Sequence, residues 1–118
     1  MEDISIQEAE ITGIEHRQED KELLLTGKLP LETTCRIAFQ GVDWWELCSF
    51  GVQNVLSSVK GYDGNSLTEA IITDQDIPEQ YVRSVQEGNH QLFVLNASIG
   101  LSGWIIAAAM KVETACRR

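Results

Sequence analysis

Residues 33–41, TTCRIAFQG, alternate cleanly, with the large apolar side chains at every second position. Cys35, Ile37 and Phe39 share one face, and Thr34, Arg36 and Gln40 share the other. A period of two with one apolar face predicts a half-buried antiparallel strand. Residues 23–29, LLLTGKL, predict another, a short apolar run between HRQEDK and Pro30. Upstream, Ile4, Ile6, Ala9, Ile11 and Ile14 change parity between Ile6 and Ala9, and change back by Ile14. That shift predicts a bulge or two short strands, with His16 to Lys21 as the hairpin tip.

Residues 43–60, DWWELCSFGVQNVLSSVK, support two readings. At helical spacing Trp44, Trp45, Leu47, Cys48, Val52, Val55, Leu56 and Val59 fall in one half of the wheel. Asp43 and Glu46 imitate a capping box, and Gly61 offers a stop. Against a helix stand Gly51, Ser57-Ser58 and the run of valines. The balance favours two strands, 42–49 and 52–60, broken at Phe50-Gly51. The alternative is an α+β fold with a second helix at 43–60.

Tyr62 to Asn65 reads as a turn on Asp63-Gly64, and 67–73, LTEAIIT, as a short strand. The best helix follows at about 77–88. Pro78 suits its first turn, Glu79 its positive end, and Gly88 the C′ position. Tyr81, Val82 and Val85 give it an apolar side. Residues 91–97 and 103–113 read as two more strands around a Gly/Ser loop. In the last, Trp104, Ile106, Ala108, Met110 and Val112 form one stripe, and Ile105, Ala107 and Ala109 the other. The small alanines at 107–109 predict close packing, with the helix as the nearest candidate. The tail from Ala115 is expected to fray. These elements predict a mainly β chain: an antiparallel β-sandwich or strongly curved sheet with one short helix.

Length fits one domain over residues 1–118. With 43% apolar residues the chain can build a core without disulfides or a metal. Asp and Glu number 18 against 9 Lys and Arg, a net charge of −9. No cluster of basic residues is available to neutralise phosphates, so nucleic acid and anionic membranes are disfavoured as partners. Residues 1–22 hold eight acidic residues and two basic ones, a net of −6. Residues 61–82 add five acidic residues and no basic one. The plain account of such acidity is solubility; the functional one is steering of a basic protein partner.

The start, MEDISIQEAE, is acidic where a secretion signal is basic and then apolar. The longest run free of polar residues, Trp104 to Met110, is far short of the about 20 residues that span a bilayer. A cytoplasmic location is expected. Cys35, Cys48 and Cys116 are odd in number and widely spaced, so free thiols are expected.

Candidate chemistry is sparse. The Gly-x-Ser-x-Gly elbow is missed by one glycine at Leu47 to Gly51 and again at Gly100 to Trp104. Neither a P-loop nor Gly-x-Gly-x-x-Gly occurs. His16 and His90 are the only histidines, and a metal site would need His90 with carboxylates or a cysteine from elsewhere. Asp63 reads as a turn former, Asp74 and Asp76 as helix N-terminal caps, and His90 as a turn-satisfying residue. Cys48, beside the tryptophans and Glu46, reads first as a small buried hydrophobe and second as a nucleophile.

No catalytic, cofactor-binding or metal residue is assigned, and no cofactor is expected. The candidate partner contacts are Glu15, Glu19, Asp20 and Glu22 in the hairpin, with Trp44 and Trp45. In a strand the two indoles point to opposite faces. The plainer outcome buries both between packed layers; an exposed one is a contact candidate. The expectation is therefore a non-enzymatic interaction module with an acidic surface, of the immunity or antitoxin kind. A ligand binder or enzyme with a site near Trp44, Trp45 and Cys48 is the first alternative. A subunit that completes its sheet by homo-oligomerising is the second.

Overall fold

A computed structural model describes residues 3–4, 9–29 and 33–116, and side chains for 9–29 and 33–114. The elements, in chain order, are β1 (Asp3–Ile4), β2 (Ala9–Arg17), β3 (Glu22–Leu29), β4 (Thr33–Gln40), β5 (Trp44–Cys48), β6 (Val55–Tyr62), α1 (Glu69–Gln75), α2 (Glu79–Gln86), β7 (Gln91–Ile99), β8 (Ser102–Ala107) and β9 (Ala109–Cys116). The mainly β reading holds, as one antiparallel sheet that does not close. Its order is β5-β8-β7-β6-β2-β3-β4-β9, with β1 added beside β6.

The sheet folds over on itself where β6 meets β2, a junction of only two residue pairs, Ala9 with Leu56 and Glu10 with Val55. One layer is β5-β8-β7-β6 and the other β2-β3-β4-β9. Their facing sides share one core. Ile11, Leu23, Leu25, Ile37 and Phe39 come from one layer, and Leu56, Val59, Phe93, Leu95 and Ile105 from the other. Phe39 and Phe93 meet edge to face across it, with ring centroids 5.4 Å apart.

Residues 43–60 are two strands, β5 and β6, and the helical alternative at 43–60 is overturned. β2 carries the expected irregularity, a register shift between Ile11 and Gly13. β1 is a separate short strand, so the parity change has both of its proposed causes; the side chains of Ile4 and Ile6 lie outside the described residues.

There are two helices, and 67–73 is mostly helix where a strand was expected. Its β-branched residues favour a strand locally, but tertiary packing decides otherwise. Thr68 Oγ1 accepts from Ile71 N at 3.3 Å and starts α1. Ile71 and Ile72 then lie, with Ile77, Tyr81, Val82 and Val85, over Leu92, Val94, Trp104 and Ile106. Those four line the outer face of β7 and β8, which explains why both strands read as continuous apolar runs. Asp76 ends α1 in the left-handed region, and Pro78 precedes α2 with no side-chain cap. Neither Asp74 nor Asp76 therefore caps a helix N-terminus. Gly88 follows α2 with φ +85°, the predicted C′ position. No helix is long and apolar enough to cross a membrane among the described residues.

The expected strand 103–113 is two strands with a break at Ala108. Before the break Ile105 and Ala107 face the core; after it Met110 and Val112 do. The parity reverses at the point where the chain leaves one layer and enters the other through the single residue Ala108. β4 to β5 makes the opposite crossing at residues 41–43. The two crossings touch: Ala108 N donates to Gln40 O at 2.8 Å. Gly41 has φ +64°, and a Cβ there would come within 2.8 Å of Ala108 Cβ. The close packing expected at the alanines is thus against Gly41, while the helices pack elsewhere. β9 continues to Cys116, so Ala115 and Cys116, part of the tail expected to fray, pair with β4; Arg117 and Arg118 lie outside the described residues.

Gly41→Ala adds left-handed strain and a steric conflict. It is expected to cost about 3 kcal/mol in denaturant unfolding. Adding Ala108→Gly removes the steric part and should restore about half of the loss. Equal stability of Gly41→Ala and the parent would refute the double crossing as a tight junction.

Candidate functional site

The crossing at 41–43 delivers β5 to the rim of the molecule. Val42 N donates to Lys21 O at 2.9 Å, and Asp43 N to Ile106 O at 2.8 Å. These bonds tie the start of β5 to the end of the β2–β3 hairpin on one side and to β8 on the other. β5 pairs with β8 along its length. Gly103 makes the approach feasible, since a Cβ there would strike Glu46 O.

The two indoles do point to opposite faces. Trp45 and Leu47 pack on the core between the layers. Trp45 meets His16 edge-on, with centroids 4.8 Å apart and planes at 71°. Trp44 lies on the outer face and is 47% exposed, so the outcome with both rings buried is overturned. β5 is an edge strand, and its outer face extends past the cover of the helices. Trp44 stacks on Tyr81 of α2 at 6.1 Å with planes 14° apart, and its Nε1 donates to Glu46 Oε2 at 2.7 Å.

A cleft of about 580 Å³ opens beside the tryptophans. His16, Gln18, Lys21, Val42, Asp43, Trp44 and Trp45 line it. The hairpin and the tryptophan pair, far apart in sequence, therefore form one surface. The four hairpin carboxylates are not equivalent. Arg17 Nε lies 3.1 Å from Glu15 Oε2, and its NH1 lies 3.6 Å from Glu22 Oε1. The bond to Glu15 raises the guanidinium's already high pKa further. Glu19 and Asp20 sit in the exposed turn and have no ion pair among the described residues. They are the hairpin carboxylates outside the ion pairs of Arg17, and Asp20 acts on that guanidinium only at longer range.

Towards the other end of β5 a second cleft of about 470 Å³ is lined by Glu46, Cys48, Gln75, Asn96, Ser102 and Trp104 among others. Cys48 is exposed, not a buried hydrophobe, for the same edge-strand reason as Trp44. Its Sγ lies 3.6 Å from Ser102 Oγ, and no histidine lines this cleft. His90 lies apart, bonded through Nδ1 to Ser84 Oγ at 2.5 Å at the end of α2. Among the described residues no three His, Cys, Asp or Glu side chains converge on a common point.

Asp63 is the turn former its sequence predicts. Its Oδ1 accepts from Asn65 N, Ser66 N and Ser66 Oγ at 2.9–3.0 Å. The bonds from Ser66 and Asn65 hold its carboxyl below the usual range. Sequence reasoning missed Asn54, the one buried polar side chain among the described residues. Its Oδ1 accepts from Gly51 N at 2.9 Å and Leu101 N at 3.1 Å, and its Nδ2 donates to Gly51 O at 2.9 Å. It fixes the loop after β5 against the β7–β8 turn. It also missed Tyr81 and His16 as the partners of the two indoles. Only the position of His16 on the opposite hairpin face from Glu15 and Arg17 could have hinted at that.

No protein-family model, curated protein or solved structure matches the chain.

Cys35 is buried, and desolvation raises its thiol pKa. In a Cys116→Ser background the folded protein should expose one reactive thiol, Cys48, and the unfolded protein two. Reaction of Cys35 should follow global unfolding. Rapid labelling of both in the folded state would contradict the packing of β4.

Proposed function

We propose that the chain is a non-enzymatic binding module that engages a basic protein in the cytoplasm, as immunity and antitoxin proteins engage theirs. The observation that supports it is the union of the hairpin tip and the tryptophan pair in one surface. Glu19 and Asp20 supply negative charge outside any ion pair among the described residues, which accelerates encounter with a cationic partner. Trp44, half exposed and held in place, supplies the kind of rigid aromatic contact that dominates protein interfaces. Free Cys35 and Cys48 suit a reducing compartment.

A second reading, a small-ligand binder, draws support from the cleft itself. Its 580 Å³ and its mixed aromatic and polar lining fall in the range of ligand sites. Native mass spectrometry of protein taken directly from cells would carry a stoichiometric adduct in that case. Sheet completion by a second copy has less support, because the edge strand β9 presents Lys111 and Glu113 to solvent.

The test compares association with a partner recovered from the source cells. Glu19→Gln with Asp20→Asn should slow association by about fivefold at low salt and flatten its salt dependence, with folding unchanged. Glu15→Gln with Glu22→Gln should slow it by a similar factor, since it removes the same charge and leaves Arg17 unpaired facing a basic partner. Equal rates for the tip variant and the parent, with a partner in hand, would overturn acidic steering.

A further inference from the structure

We infer that Trp44 is a preorganised seat for an arginine side chain of the partner, an inference that rests on the binding-module reading above. Three rings run outward in sequence. Trp104 is buried, Tyr81 lies 6.0 Å from it, and Trp44 stacks on Tyr81 at 6.1 Å. Trp44 ends the series, with no further ring beyond it among the described residues.

The indole is held from two directions. Tyr81 supports the ring, and Glu46 Oε2 accepts its Nε1 proton at 2.7 Å. A ring fixed in this way loses little rotational freedom when a partner lands on it. The hydrogen bond also decides what the ring can recognise. Its only polar donor is already used, so what it offers is the π-face, the negative pole of the quadrupole. Glu46 lies at the ring's edge and Asp43 just before it in the chain, and both are exposed. Acidic and carbonyl-rich groups are repelled by that field, and cations are drawn to it.

Arginine fits better than lysine for a geometric reason. A guanidinium can lie flat on an indole while its N–H groups stay in plane and available to carboxylates. An ammonium must keep its hydration and has no face to stack. Lys21 is the one cation lining the cleft, and the neighbouring Glu19 and Asp20 outweigh it.

The experiment uses the intact protein with indole nitrogen labelling and three peptides: hexa-arginine, hexa-lysine and hexa-citrulline. Hexa-arginine should move the Trp44 indole N–H resonance, leave that of Trp104 in place, and bind more tightly than hexa-lysine. Hexa-citrulline should not bind. Trp44→Leu, checked for folding by circular dichroism, should weaken hexa-arginine by about fivefold while changing hexa-lysine little. Glu46→Gln keeps an acceptor for Nε1 and removes the charge, so it should weaken both peptides. If hexa-arginine binds with the Trp44 resonance unmoved, or no more tightly than hexa-lysine, the arginine seat is wrong and acidic steering survives. If neither cationic peptide binds, the arginine seat and the basic-partner reading fall together.

Discussion

The chain changes layers twice at one point, and the packing there tolerates nothing larger than the residues it carries. β4 leaves its layer through Gly41, and β8 leaves the other through Ala108. The two crossings are joined by the bond from Ala108 N to Gln40 O. The inward parity reverses at Ala108 and is kept across residues 41–43, and on both sides of each crossing the strands keep an apolar face on the shared core. Elsewhere the strands of the two layers pair directly only at the two residue pairs between β6 and β2, and the shared core holds the layers face to face. Everything at the rim follows from the double crossing. Residues 42 and 43 emerge bonded to Lys21 and Ile106, and β5 begins beside the hairpin.

That placement gives β5 two different faces. The inner one carries Trp45 into the core against His16. The outer one carries Trp44, Glu46 and Cys48 beside α2. The loop that follows is fixed by buried Asn54, whose side chain closes Gly51 and Leu101 together. It displays Phe50 and Val52, and Ile99 at the end of β7 is exposed as well. The chain is uncharged from residue 47 to residue 59 and from 91 to 110. The two ends of β5 thus differ in kind, one acidic and aromatic, the other apolar and neutral.

Much of the fold was legible in the sequence, and the failures have physical causes. The alternation of 33–41 needed no context, because a strand with one wet face records its own orientation. The strand reading of 43–60 came from Gly51 and the valines, against a helical periodicity that is coincidence. Residues 67–73 misled because their local preference is for a strand, while the apolar outer face of β7 and β8 needs a helix to cover it. Ala108 was invisible because its crossing leaves no mark except a parity change, and both parities were apolar there. At the site, the hairpin acids and the tryptophans were singled out separately. Their adjacency depends on the crossing, and the pairing of Arg17 with Glu15 and Glu22 depends on register. Neither can be read one segment at a time.

The central claim is that the acidic, aromatic end of β5 is the working surface. Amide hydrogen exchange of the protein, alone and with its recovered partner, tests it most directly. The account predicts slowed exchange at residues 18–21 and 43–46, with residues 50–53 and 99–101 unchanged. Slowing at 50–53 and 99–101 with 18–21 and 43–46 unaffected would contradict it and move the working surface to the neutral end.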